Sequence, residues 1–158
     1  MAQKITPFLW FDSQAEEAAR FYTSIFDNSE ISEVVRYGEA GPGEAGTVMT
    51  VAFRLAGQDF VALNGGPVYQ FSPATSFVID CKSQEEVDHF WDNLSEGGEP
   101  GPCGWLRDRY GVSWQVVPSR LIELLGDQDR ERANRVMQAM LRMSKIEIAP
   151  LERAYAGE

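Results

Sequence analysis

The residues of this chain with the clearest chemical potential lie in one stretch, Cys103-Gly-Trp-Leu-Arg-Asp-Arg-Tyr-Gly-Val-Ser-Trp-Gln-Val-Val-Pro118, and the most telling of them is Gln115. A strand with Trp105, an Asp108-Arg-Tyr-Gly111 turn and a second strand with Trp114 and Gln115 read as a hairpin that sets an amide among aromatic rings. Apolar walls with a few placed polar groups are how small-molecule sites are built. Neighbouring strand residues face opposite ways, so Trp114 and Gln115 cannot both point into one cleft. An amide between Trp114 and Val116 must find partners in the protein or in a ligand.

Other groups capable of chemistry have plainer readings. His89, the single histidine, falls inside an amphipathic helical pattern, and one imidazole rarely makes a transition-metal site. The pairs Glu16-Glu17 and Glu85-Glu86 open helices, where they interact favourably with the macrodipole. Asp108 reads as a turn-former bonding nearby backbone, and Arg107 and Arg109 as a solvated strand face. Cys81 and Cys103 sit beside apolar strand residues without CxxC spacing, so they are expected as free thiols.

Composition narrows the partners. The 158 residues are 44% hydrophobic, enough for a sizeable core, and are expected to form a single domain, 1–158. Twenty-four acidic residues against fourteen Lys plus Arg give a net charge of −10, which disfavours nucleic acid and anionic lipid. No apolar run approaches the roughly 20 residues needed to span a bilayer and no signal-peptide pattern is seen, so a cytoplasmic location is expected.

The elements that must position the site follow from periodicity and caps. Residues 5–11 read as a strand ending at Asp12-Ser13, an N-cap signal for a helix reaching Phe26 with Ala15, Ala18, Ala19, Tyr22, Ile25 and Phe26 on one face. Strands follow at 31–37, 47–55 and 60–63, with a Gly/Pro-rich loop at 38–46. The order then repeats: a strand at 76–81, a helix capped at Ser83 and ending near Leu94, and the hairpin. Glu16, Glu17, Phe21 and Tyr22 match Glu85, Glu86, Phe90 and Trp91 at one offset, and Phe60 matches Trp114 in the later hairpins, which points to an internal duplication. Module one spans 1–66 and module two 74–118. Residues 119–158 form a C-terminal helical arm, with one helix after Asp129 carrying a stripe of Ala133, Val136, Met137, Met140 and Leu141, and another near residues 151–155.

This α+β order of two tandem βαβββ modules resembles the vicinal oxygen chelate superfamily of glyoxalases, bleomycin-resistance proteins and extradiol dioxygenases. Pro7-Phe-Leu-Trp-Phe-Asp12, Ala62-Leu-Asn-Gly-Gly-Pro67, Ser76-Phe-Val-Ile-Asp-Cys81, the stretch from Cys103 to Pro118 and Val136-Met-Gln-Ala-Met140 are similar to the PhnB-like family, whose members are often labelled 3-demethylubiquinone-9 3-methyltransferase. The resemblance implies half-barrel modules curling around a cleft and, in catalytic members, a divalent metal held by His, Glu or Gln of each module's first and last strands. In metal-using relatives an Asp-x-x-Gly turn is followed by a Glu four residues after the Gly; here that position is Gln115. Its counterpart in module one is Val61, or Asn64 at the strand end, and neither first strand offers a histidine. The Gly-rich strand-to-helix turn of a methyltransferase using S-adenosylmethionine is also missing.

The expectation is therefore a homodimer that binds a small organic molecule in an aromatic cleft, without a metal or other cofactor. The ligand-binding residues would be Trp10, Phe60, Asn64, Trp105, Tyr110, Trp114 and Gln115. The alternatives are a metal-dependent lyase, isomerase or transferase of the superfamily, the labelled methyltransferase, and an interaction module acting through the Met-bearing helix.

Overall fold

The computed structural model describes residues 3–158, so Met1 and Ala2, the start of predicted module one, lie outside it. The chain divides into two compact units, Met1–Phe71 and Ser72–Glu158.

In the first unit the order is β1 (Phe8–Phe11), α1 (Ala15–Ile25), β2 (Glu30–Arg36), β3 (Val48–Leu55) and β4 (Gln58–Asn64). The sheet runs β1-β4-β3-β2, with β1 parallel to β4 and the other pairs antiparallel. Period-two alternation sends Leu9, Phe11, Val51, Phe53, Phe60 and Ala62 to the face covered by α1, where Ala15, Ala18, Ala19, Tyr22 and Ile25 meet them. Phe53 stacks on both Tyr22 and Phe60, with centroids 6.2 and 5.4 Å away. Phe8 and Trp10 alternate to the opposite, open face.

In the second unit the order is β5 (Ser76–Cys81), α2 (Gln84–Ser95), β6 (Glu99–Pro100), β7 (Trp105–Arg107) and β8 (Ser113–Pro118). The sheet β5-β8-β7-β6 repeats the first one's logic, with β5 parallel to β8, so the duplicated βαβββ order is realised. Its fourth strand, β6, is only two residues long and falls in a Gly/Pro-rich stretch with no strand pattern. Ser83 caps α2, its Oγ accepting from Glu86 N, while the Glu86 carboxylate reaches back past the cap to accept from Lys82 N, a variant of the capping box.

Cys81, the last residue of β5, is fully buried. Burial, reinforced by the Glu86 and Asp80 carboxylates, pushes its thiol up to about 12. Iodoacetamide at pH 8 is expected to spare Cys81 in the native protein and to label it after denaturation; native labelling would contradict the packing.

The arm contains three helices: α3 (Ser119–Leu125), α4 (Arg130–Met140) and α5 (Ile148–Ala156). Asp129 caps α4 as its sequence indicates, accepting from Glu131 N and Arg132 N. Leu121, Leu124, Val136, Ile146 and Leu151 make a separate core. The predicted stripe on α4 is only half used: Ala133 and Val136 are buried, but Met137 and Leu141 are exposed, because α3 and α5 cover a narrower face. Helix α3 was not visible in the sequence, since its seven residues are too few for a periodic signal.

Candidate functional site

The hairpin at the centre of the sequence reading forms as expected, and β-register decides which of its residues face where. Leu106 pairs with Trp114, which pairs with Phe77; Trp105 pairs with Gln115, which pairs with Val78. The first row turns under α2: Trp114 is 2% exposed, and its ring tilts against Phe77 at 5.5 Å. The second row therefore stands on the opposite face of the sheet, where Val78 is 60% exposed and Trp105 and Gln115 are half-buried.

Asp108 explains why Trp114 is locked inward. The carboxylate, 2% exposed, accepts from Tyr110 N (2.8 Å) and Val112 N (3.1 Å) through Oδ1, and from the indole Trp114 Nε1 (2.9 Å) through Oδ2. The turn-former reading is thus right but incomplete, because the same residue also anchors the ring that its turn sends into the core. Gly111, at φ +92°, closes this turn in the left-handed region.

Gln115 is held differently. Its Nε2 donates to Ser76 Oγ at 2.9 Å, a diagonal neighbour on the same face. Among the described residues nothing donates to its Oε1, and no buried side-chain oxygen lacks a partner, so that oxygen opens to solvent. Its strand partner Trp105, with Pro100, Pro102, Arg107 and Ser113, lines a cavity of about 330 Å³ whose wall does not include Gln115 itself.

The module-one residues divide in the same way. Phe60, 6% exposed, belongs to the core beneath α1, for the same register reason as Trp114. Asn64 is consumed by structure. Its Oδ1 accepts from Ala15 N (2.8 Å), its Nδ2 donates to Val48 O (3.1 Å), and its backbone O accepts from Tyr37 OH (2.5 Å). It thus supplies the N-terminal cap of α1 from another strand, in place of the Asp12-Ser13 signal; Gln14, at the cap position, makes no side-chain cap bond. Asn64→Ala is expected to cost about 2 kcal/mol by urea denaturation, and Asn64→Asp, which keeps the acceptor, clearly less. Equal losses would contradict the capping role. Trp10 stays on the open face of its sheet, with Nε1 donating to Gly66 O (2.9 Å) and its ring edge-on to Tyr69. Tyr110 stands on the turn, away from the cavity beside Trp105.

A larger cavity, about 700 Å³, lies within the first unit, lined by Asp12, Glu16, Arg36, Tyr37, Glu44 and Asn64 among others. Sequence reasoning reached only Asn64 of these. The available signal was the glycine content of residues 38–46: Gly43 lies so close to Tyr37 that a Cβ there would come within 2.4 Å of the ring.

The superfamily's metal can be tested against these positions. On the open face the first and last strands pair Phe8 with Val61 and Trp10 with Leu63 in module one, and Ser76 with Ser113, Val78 with Gln115 and Asp80 with Val117 in module two. These positions offer no imidazole and a single carboxylate, Asp80, which is held by Lys82 Nζ and Ser119 Oγ, so they do not fit an ion that takes imidazole and carboxylate ligands. Elsewhere among the described residues, no group of three or more His, Cys, Asp or Glu could hold a metal. His89, on α2, meets Asn93 Nδ2 through Nδ1 and lies edge-on to Phe90.

Comparison with known proteins places this arrangement in a family. The family model described as 3-demethylubiquinone-9 3-methyltransferase matches residues 3–117. The chain belongs to that family, the PhnB-like proteins. A solved structure described as a putative 3-demethylubiquinone-9 3-methyltransferase, PhnB protein, from Bacillus cereus is 42% identical, covers 73% of this chain and 99% of its own, and has a TM-score of 0.66. A Pseudomonas aeruginosa protein at 20% identity, 74% and 98% coverage and TM-score 0.62 shares the fold. So does the fosfomycin resistance protein of Listeria monocytogenes, solved with Mn(II) and sulfate, at 18% identity, 73% and 91% coverage and TM-score 0.53. None of the curated proteins compared matches the chain. The family match ends at residue 117, so α3 to α5 lie beyond it.

Proposed function

We propose that this PhnB-like protein binds a small organic molecule on the open face of module two, directly and without a metal. The observation that carries this reading is the Gln115 amide: one end is fixed by Ser76, and the other presents a free acceptor beside the half-buried ring of Trp105. A fixed acceptor next to an aromatic surface reads a planar or apolar molecule that carries an N–H or O–H donor. Trp10, on the open face of module one, is the remaining aromatic candidate. Phe60 and Trp114 support the modules from the helix side, and Asn64 caps α1 and lines the separate cavity of the first unit, so the proposed face of module two rests on Trp105 and Gln115. A homodimer in the cytoplasm completes the proposal, on the superfamily's habit and the chain's composition; among the described residues no helix is long and apolar enough to cross a membrane.

A thermal-shift screen against a broad metabolite and drug panel, run with a chelator present, tests the reading. At least one compound should stabilise the wild type clearly more than Gln115→Ala at the same concentration; a silent panel would overturn it.

The family description favours a second reading, methyl transfer from S-adenosylmethionine. The turn from β1 to α1 is Asp12-Ser13-Gln14, without the glycine that lets a backbone approach a nucleotide. Calorimetric binding of S-adenosylmethionine at micromolar affinity would restore that reading; no heat at millimolar cofactor would retire it.

A further inference from the structure

The C-terminal arm meets module two at the loop that feeds Trp105. Residues 101–105 satisfy part of their backbone within module two: Gly101 N donates to Trp105 O (2.7 Å), Trp105 N to Pro102 O (3.0 Å), and Gly104 O accepts from Val116 N of β8 (2.8 Å). Two N–H groups in the middle point elsewhere. Cys103 N donates to Met143 O and Gly104 N to Ser144 O, both at 2.8 Å. From the arm, Ser144 Oγ donates back to Gly101 O at 2.6 Å.

These bonds hold an unfavourable backbone. Cys103 has φ +57° and Gly104 φ +85°, so two consecutive residues are left-handed, and the first carries a side chain. That conformation costs a non-glycine residue about 1 kcal/mol and persists only where the surroundings fix it. Packing adds to the constraint: a Cβ on Gly104 would sit 3.1 Å from Ile146 Cγ1, and Ile146 is fully buried. The bracing segment is itself anchored to α2. Gln84 Nε2 donates to Ile146 O (3.1 Å), its Oε1 accepts from Ile148 N (2.8 Å), and Lys145 pairs with Asp88 (2.9 Å).

We infer that the arm positions the binding face: Met143, Ser144 and Ile146 hold the Cys103–Gly104 turn in the shape that sets Trp105 beside Gln115. Gly101 and Pro102 line the same cavity as Trp105, so the arm fixes both the ring and the wall next to it. The bracing residues lie beyond the matched residues 3–117, whereas Trp105 and Gln115 lie within them. Ser144 and Gln84 are positioning residues in this account, which rests on the reading of Trp105 and Gln115 as the binding pair.

The test uses the full chain labelled with 5-fluorotryptophan, read by 19F NMR together with amide hydrogen exchange. Ser144→Ala should move or broaden the Trp105 resonance, leave that of Trp10 unchanged, and speed exchange at Cys103 and Gly104 about fivefold, as expected for one lost hydrogen bond. Ser144→Thr, which keeps the hydroxyl, should restore both signals. Should Ser144→Ala fail to fold, Gln84→Met removes the anchor on α2 and must give the same local signature. An unchanged Trp105 resonance with unchanged exchange, or equal shifts in all four tryptophans, overturns the inference. Neither readout involves a ligand, so failure here is separate from failure of the ligand screen.

Discussion

Asp108→Ala is expected to be among the most damaging single substitutions in module two, lowering the unfolding free energy by about 4 kcal/mol. The estimate follows from what the carboxylate satisfies: two backbone N–H groups in the turn and the indole N–H of Trp114, all at 2.8 to 3.1 Å around a residue 2% exposed. Each buried donor left without a partner costs about 1–3 kcal/mol. Asp108→Asn should cost about half as much, because an amide oxygen still serves the turn while its N–H₂ confronts Trp114 Nε1. Chemical denaturation of the three proteins measures this order. A loss below about 1 kcal/mol for the alanine variant would show that the turn forms without its carboxylate.

Adjacent residues of β8 should separate stability from binding. Trp114→Ala empties a core position under α2 and should cost about 3–5 kcal/mol of stability. Gln115→Ala should barely change stability and should weaken a bound compound five- to tenfold, the value of one hydrogen bond. Trp105→Ala removes a larger contact and should weaken binding more than tenfold. Gln115→Glu is informative in another way. It restores the carboxylate of metal-using relatives, yet with no imidazole at the other paired positions and Asp80 held by Lys82 and Ser119 it should bring no stoichiometric metal. Uptake of one ion per chain by that variant would mean that ligands come from residues outside these pairs.

Much of this was legible in the chain itself. The aromatic and apolar runs of β1 and β5, the alternation of β3, the Ser83–Glu86 cap and the repeat of α1 in α2 carry local signals, and the duplicated fold follows from them. The pairing of Trp105 with Gln115 was half legible. The sequence dictates that Trp114 and Gln115 face opposite sides, but only the packing of α2 decides which side is covered. Asn64 shows the limit most clearly. Its partners, Ala15 and Val48, are 49 and 16 residues away, and an asparagine at a strand end looks alike whether it binds a ligand or caps a distant helix. The brace from Ser144 to Gly101 spans 43 residues and joins loops with no periodicity, so no sequence pattern announces it.

The central claim is that Gln115 and Trp105 meet an organic molecule directly, in the place where relatives with a carboxylate hold an ion. Native mass spectrometry of the full chain, incubated with the compound panel and with zinc, manganese, iron and nickel salts, reads both possibilities in one spectrum. The account predicts an adduct with the mass of an organic compound alone, whose occupancy at a fixed concentration falls in Gln115→Ala as expected for a five- to tenfold weaker complex. A stoichiometric metal adduct, or an organic adduct that forms only with a metal bound, would contradict it.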